Sequence, residues 1–255
     1  MLHVMSGVKL PLGAVLISGG GVNAPAADFF DIKIIGKGTH GALAHLGTDP
    51  ISIAAYILTA LHEISARELE AGTVAALTVG TIHGGESSNA IPDSVVMSGS
   101  LRALDVSVRE KLKHRLEVVC KYIARAFGAR AEVNFKYGCP PLLSDGELSE
   151  RAYDSLCRFF GRENVKISSR ESSAGMSGGS DDFSYISQRI PSVLVSVCAG
   201  SSLDGHIYPL HNPNVTFDLN ALPIGACAYA VTAVDFLRGA IIPRANKNEP
   251  YPSSK

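Results

Sequence analysis

Between residues 28 and 137 the apolar positions change period twice, in the same order. Phe30, Ile32 and Ile34 alternate with Asp31 and Lys33, the period of a half-buried strand. Gly36-Lys37-Gly38 interrupts the pattern, and Asp49-Pro50 then supplies an N-cap and a first-turn proline. The helix they open carries its apolar stripe on Ile51, Ala54, Ala55, Leu58, Leu61 and Ile64, and a second strand follows from Ala75 to Ile82. The next round begins with a strand from Ser94 to Leu104. Its helix has Ser107 and Glu110 in a capping-box pattern, then Val108, Leu112, Leu116, Val119, Ile123 and Phe127 at three- and four-residue spacing, until Gly128 stops it. Val133, Phe135 and Tyr137 alternate with polar neighbours in the last strand. Two strand-helix-strand units in tandem predict a split βαβ, ferredoxin-like α+β sheet with both helices on one face.

From about Cys139 the pattern changes. A polar helix spans Glu147 to Phe160, a Gly/Ser-rich loop runs from Ser168 to Ser180, and a short helix is expected from Asp181 to Arg189. The strand Ser192 to Cys198 is apolar on both faces and therefore expected to be central in a sheet. A loop from Ala199 to Asn214 leads to a closing helix from Leu222 to Leu237, and the tail from Pro243 to Lys255 lacks any period and is expected to be disordered. This region reads as part of an α/β layer with too few strands to close one.

Composition narrows the classes of function. The 255 residues are 46% hydrophobic and 18% charged, enough for a substantial core. With 23 basic and 24 acidic residues there is no broad field to attract nucleic acid or an anionic membrane surface. The 5 cysteines have no C-x-x-C spacing, so neither a disulfide framework nor a cysteine zinc site is indicated, and a reducing cytoplasmic location is expected. No apolar run approaches the roughly 18 residues of a membrane span, and residues 1–21 lack the pattern of a signal peptide.

The 8 histidines contain no H-E-x-x-H arrangement. His62 and His114 lie within amphipathic helices and read as structural; His83, leaving a strand into Gly84-Gly85, is ambiguous. His40 and His45 sit in a glycine-flanked loop that lets a ligand approach the backbone. His211, with His206 nearby, follows the apolar strand, where open α/β sheets commonly place ligands. Ser180-Asp181-Asp182 reads as an N-cap with two carboxylates in a first helical turn. Gly19-Gly20-Gly21 lacks the following Lys and strand-to-helix context of a phosphate loop. Arg102, at the end of an otherwise apolar strand, either clamps a carboxylate or snorkels to solvent.

The segments Leu2-His3-Val4, Gly36 to Gly41 with His45 to Pro50, Ser88 to Asp93, Gly99 to Arg102, Gly179 to Phe183, and His211-Asn212-Pro213 running on to Leu222-Pro223-Ile224-Gly225 resemble, in order and approximate spacing, the aminoacylase/carboxypeptidase family of di-metal metallopeptidases. The similarity is to its amidohydrolase branch of hippurate hydrolases, N-acyl-amino-acid deacylases and auxin-conjugate hydrolases. The resemblance implies an α/β catalytic domain, incomplete in this chain, with an inserted ferredoxin-like lid and dimerisation domain. Its boundaries are expected at 1–27 (catalytic segment), 28–138 (lid), 139–242 (second catalytic segment) and 243–255 (tail). It further implies that His3 and His211 are metal ligands, with two divalent ions (Zn, Mn, Co or Ni) in a complete site. His40 and Asn89 are implied to stabilise the tetrahedral oxyanion, His40 reaching a partner subunit, while Arg102 and Ser180 belong to the substrate-binding set. The implied substrate is an N-acyl amino acid or similar carboxylate-bearing conjugate, and the implied assembly a homodimer through the lid.

The chain also departs from the family pattern. The His-x-Asp, Cys-Gly-His and Glu-Glu motifs that precede the position of His3 in the family have no counterpart here, and Ala44 replaces a common proline. An N-terminally truncated amidohydrolase is therefore expected, the alternative being a non-catalytic fragment or pseudoenzyme acting only as a dimerisation module.

Overall fold

The computed structural model describes residues 1–168 and 179–241. The tail expected over 243–255 and most of the Gly/Ser-rich loop fall outside the described residues. In chain order the elements are β1 (Leu2–Val8), β2 (Val15–Ile17), β3 (Gly21–Ala24), β4 (Ala26–Ile35), β5 (Thr39–His40), α1 (Pro50–Glu63), β6 (Ala75–His83), β7 (Ala90–Ile91), β8 (Ser94–Ala103), α2 (Val106–Ala126), β9 (Arg130–Cys139), β10 (Leu142–Ser144), α3 (Gly146–Phe160), β11 (Val165–Ile167), α4 (Ser184–Ser187), β12 (Val195–Ser201) and α5 (Ala221–Leu237). They form two compact units, one holding residues 24–141 with 179–182, the other holding the remaining described residues.

The 24–141 unit is a four-stranded antiparallel sheet in the order β6-β8-β4-β9. β4 and β6 flank β8, so each strand-helix-strand run is split by a strand from the other, as the tandem pattern predicts. Phe30, Ile32 and Ile34 of β4, Val95, Met97 and Leu101 of β8, Ile53, Ile57 and Leu61 of α1, and Leu112, Leu116 and Cys120 of α2 share one core, while Ile51 and Ala55, expected on the α1 stripe, are exposed. Both helices therefore cover one face, and the opposite face carries the alternate residues. Asp28 shares the inward parity of Phe30 and is 2% exposed, paired bidentately with Arg109 of α2 at 2.7 Å to each oxygen.

The start of α2 differs from the capping-box expectation. The N-cap is Asp105, whose carboxylate accepts from the amides of Ser107 and Val108, so Ser107 lies inside the helix. The hydroxyl of Ser107, then the Val108 amide, hold the Asp105 carboxyl below its ordinary range. A depressed carboxyl contributes stability above its unfolded pKa and loses that contribution as pH falls through the folded value. Asp105→Ala is expected to cost about 1 kcal/mol near neutral pH, a deficit that narrows below about pH 4. Urea denaturation of both proteins across that range measures it.

In the other unit, the sheet order is β1-β12-β2-β11, with β1 parallel to β12, β12 antiparallel to β2, and β2 parallel to β11. β3 and β10 form a separate ribbon. β12 is buried along nearly its whole length, as its two-faced apolar sequence requires. Val15, Ile17, Val195 and Val197 pack with Leu148, Ala152 and Leu156 of α3 and Ala221 and Ala228 of α5. β1 is an edge strand, and beside it Val4, Phe217, Leu219, Leu222 and Tyr229 remain exposed around an apolar cavity of about 450 Å³. α4 spans only Ser184–Ser187 and has no side-chain cap, shorter than the Asp181 to Arg189 helix expected from sequence. No described helix is long and apolar enough to cross a membrane.

Candidate functional site

β5 and β7 form a two-stranded ribbon in which Thr39 faces Ile91 and His40 faces Ala90. The Gly41 amide donates to the Asn89 carbonyl at 2.7 Å, and the Gly38 amide to the Asp93 carboxylate at 2.9 Å. These bonds bring His40 and Asn89 together on one exposed rim. The Ala42 amide donates to His40 Nδ1 at 3.2 Å, which places the imidazole proton on Nε2. The Asn89 Oδ1 accepts from the Ser87 hydroxyl at 2.5 Å, leaving its amide nitrogen to donate outward. The rim thus offers two hydrogen-bond donors. His45 lies in the exposed turn that follows.

On β8, Arg102 Nη1 donates to Ser180 Oγ at 2.9 Å, and its guanidinium carbon lies 5.8 Å from the centre of the Phe29 ring. No Asp or Glu among the described residues pairs with it. Of the two readings open for Arg102, simple extension into solvent does not describe a half-buried guanidinium held from two sides. Ser180 serves as this hydrogen-bond partner, whereas the sequence pattern reads it as a helix cap; α4 starts four residues later. Phe29, next to Arg102, also meets Tyr137 with ring centres 4.7 Å apart and planes tilted by 34°, a pairing the sequence does not reveal. The available signal is the parity of Phe29, opposite to that of Phe30.

His3 and His211 both belong to the unit built on β1. His3 Nδ1 lies 2.6 Å from the Val4 carbonyl, which fixes the proton on Nδ1 and leaves the Nε2 lone pair available. His211 has φ 68°, in the left-handed region that few non-glycine residues other than Asn, Asp and His adopt. Its loop is tied to β1: Ser6 Oγ donates to the Thr216 carbonyl at 2.9 Å, and a Cβ on Gly7 would come within 2.7 Å of Pro209 N. His206 is engaged by Thr216 Oγ1 at 2.8 Å. His3 therefore has the tautomer a metal ligand needs. Among the described residues, however, no three His, Cys, Asp or Glu side chains converge.

Other readings also have a physical basis. His62 and His114 are exposed on α1 and α2 and meet no part of these clusters. Gly19 and Gly20 permit close backbone approach: a Cβ would lie 2.2 Å from the Ser168 carbonyl and 2.5 Å from the Gly146 Cα. The 5 cysteines are free thiols; burial pushes Cys120 up to about 12.

Comparison with known proteins places these features. The peptidase dimerisation domain of the M20 family matches residues 27–127. The chain is 34% identical over 197 residues to N-acetyl-L-cysteine deacetylase of Bacillus subtilis, covering 77% of this chain and 44% of that protein. A crystal structure from methicillin-resistant Staphylococcus aureus, provisionally assigned as an aminohydrolase, is 27% identical with a TM-score of 0.78, covering 92% of this chain and 58% of that one. A dinuclear metal-binding M20 peptidase from Bacillus subtilis shares the fold at 24% identity, with a TM-score of 0.68 over 94% of this chain and 57% of that one. The chain spans about half the length of the curated relatives it matches. Residues 27–127 thus match the peptidase dimerisation domain of the M20 family, and most of the chain is similar to hydrolases about twice its length.

Proposed function

We propose that this chain serves a metal-dependent amidohydrolase that cleaves the amide bond of N-acyl amino acids or similar carboxylate-bearing conjugates. The observation that carries the reading is Arg102: a half-buried guanidinium, held by Ser180 and Phe29, with no acidic partner among the described residues. Such a group suits a substrate carboxylate, which guanidinium binds through paired hydrogen bonds. The relationship to a deacetylase of N-acetyl-L-cysteine supports the same class.

His3 and His211 would hold metal, and two divalent ions would supply carbonyl polarisation and an activated water when bound. The chain's own residues do the rest. Arg102 and Ser180 orient the carboxylate end of the substrate, while His40 Nε2 and the Asn89 amide donate to the oxygen on which negative charge develops. The dimerisation domain supports a homodimer, with His40 acting on a partner subunit's substrate. Five free thiols support a reducing cytoplasmic setting.

A second reading, a non-catalytic dimerisation module, is favoured by the absence of three converging ligands among the described residues. Elemental analysis of the purified chain, with hydrolysis of N-acetyl-methionine and hippurate after addition of Mn, Co or Zn, separates the two. About two bound ions with turnover establishes the amidohydrolase; a metal-free, inactive dimer establishes the module.

A further inference from the structure

The helix-free face of the β6-β8-β4-β9 sheet is polar along most of its length. Asp31 is engaged there by the Ser98 hydroxyl at 2.6 Å and by Lys136 at 2.7 Å. One end differs, because the Phe29 ring lies beside the Arg102 guanidinium and against Tyr137, with the two ring centres 4.7 Å apart and their planes tilted by 34°. The placement of Tyr137 depends on an irregularity in the β4-β9 pairing. Phe29 faces Tyr137 but the adjacent Phe30 faces Phe135, so Lys136 is an extra residue in β9. Strict alternation would put Tyr137 on the same face as Phe135, which packs against the core. The bulge turns it to the opposite face, a common device for re-aiming a side chain. The result leaves Tyr137 64% exposed, although no core packing requires it there.

We propose that Phe29 and Tyr137 form the subsite for the amino-acid side chain of the substrate and select aromatic and large apolar side chains over glycine. The proposal rests on Arg102 being the carboxylate grip. In an N-acyl amino acid the carboxylate and the side chain branch from the same carbon. A carboxylate on Arg102 therefore brings the side chain over the neighbouring rings, where stacking and burial reward a flat apolar group.

Titration of the full chain with N-acetyl-phenylalanine, N-acetyl-glycine and N-acetyl-phenylalaninamide, followed by NMR, tests this. N-acetyl-phenylalanine is expected to bind about three- to tenfold more tightly than N-acetyl-glycine. Tyr137→Ser should remove that preference, and Tyr137→Phe should keep it. Unaltered thermal unfolding of Tyr137→Ser serves as the folding control. A preference that survives Tyr137→Ser, or equal binding of the two acids, overturns the subsite but leaves the Arg102 reading intact. Equal binding of the acid and its amide overturns the Arg102 reading, and no binding of any of the three overturns both.

Discussion

Asp28→Ala is expected to destabilise the dimerisation unit by about 3–5 kcal/mol, the usual cost of removing one partner of a buried ion pair. Asp28 is 2% exposed, and its two oxygens accept from Arg109 Nε and Nη2 at 2.7 Å each, with Lys113 at 3.8 Å. The facing strand is shaped around it, since a Cβ on Gly138 would lie 2.3 Å from Asp28 Oδ1. The Arg109 side chain is only 11% exposed, so loss of the carboxylate removes the buried partner of its charge and leaves the exposed Glu110 at 3.2 Å. Replacing the pair together, as Asp28→Leu with Arg109→Met, should cost less than Asp28→Ala alone, because the buried guanidinium goes with its partner. Urea denaturation, with hydrogen exchange of β4 and α2 amides to report on this unit, measures both variants. A single-variant loss below about 1 kcal/mol would show that water reaches the pair in solution.

That interaction also shows what the sequence could reveal. Alternation in β4 places residues 28, 30, 32 and 34 on one face, so the burial of Asp28 is readable; its partner is not, because Arg109 is 81 residues away. α2 buries Leu112 and Leu116 of its expected stripe, whereas α1 turns Ile51 and Ala55 outward and buries Ile53 and Ile57, because its run is apolar on more than one face and the period alone does not choose between them. Boundaries are less legible: Asp105 and Ser107 are both good caps two residues apart, and backbone geometry selects Asp105. Periodicity also fails at Tyr137, because a single-residue bulge inverts the face of everything beyond it. Among the site residues, His40, Asn89 and Arg102 could be picked out by resemblance. The features giving them chemical character could not, since the His40 tautomer depends on the Ala42 amide and the setting of Arg102 on Ser180 and Phe29. His3 and His211 could be picked out by the same resemblance, but among the described residues no three His, Cys, Asp or Glu side chains come together around them.

The largest functional effect is expected at Arg102. Arg102→Ala should weaken binding of N-acetyl-methionine to the chain by about 10- to 100-fold, the range for hydrogen bonds to a charged group. It should leave binding of the corresponding amide almost unchanged. Arg102→Lys should recover only part of the loss, because an ammonium cannot reproduce the planar fork or the approach to Phe29 at 5.8 Å. Ser180→Ala should have a smaller effect: it removes the 2.9 Å bond that orients the guanidinium but keeps the charge. Stability should be little affected, since Arg102 is not neutralised by any described Asp or Glu whose loss of a partner would be felt. Calorimetric titration of the four proteins with the acid and the amide reads all of these effects. Equal losses for acid and amide would assign Arg102 to the architecture of the sheet face and remove it from carboxylate recognition. A loss confined to the acid would fix the substrate's orientation, with its carboxylate at the end of β8.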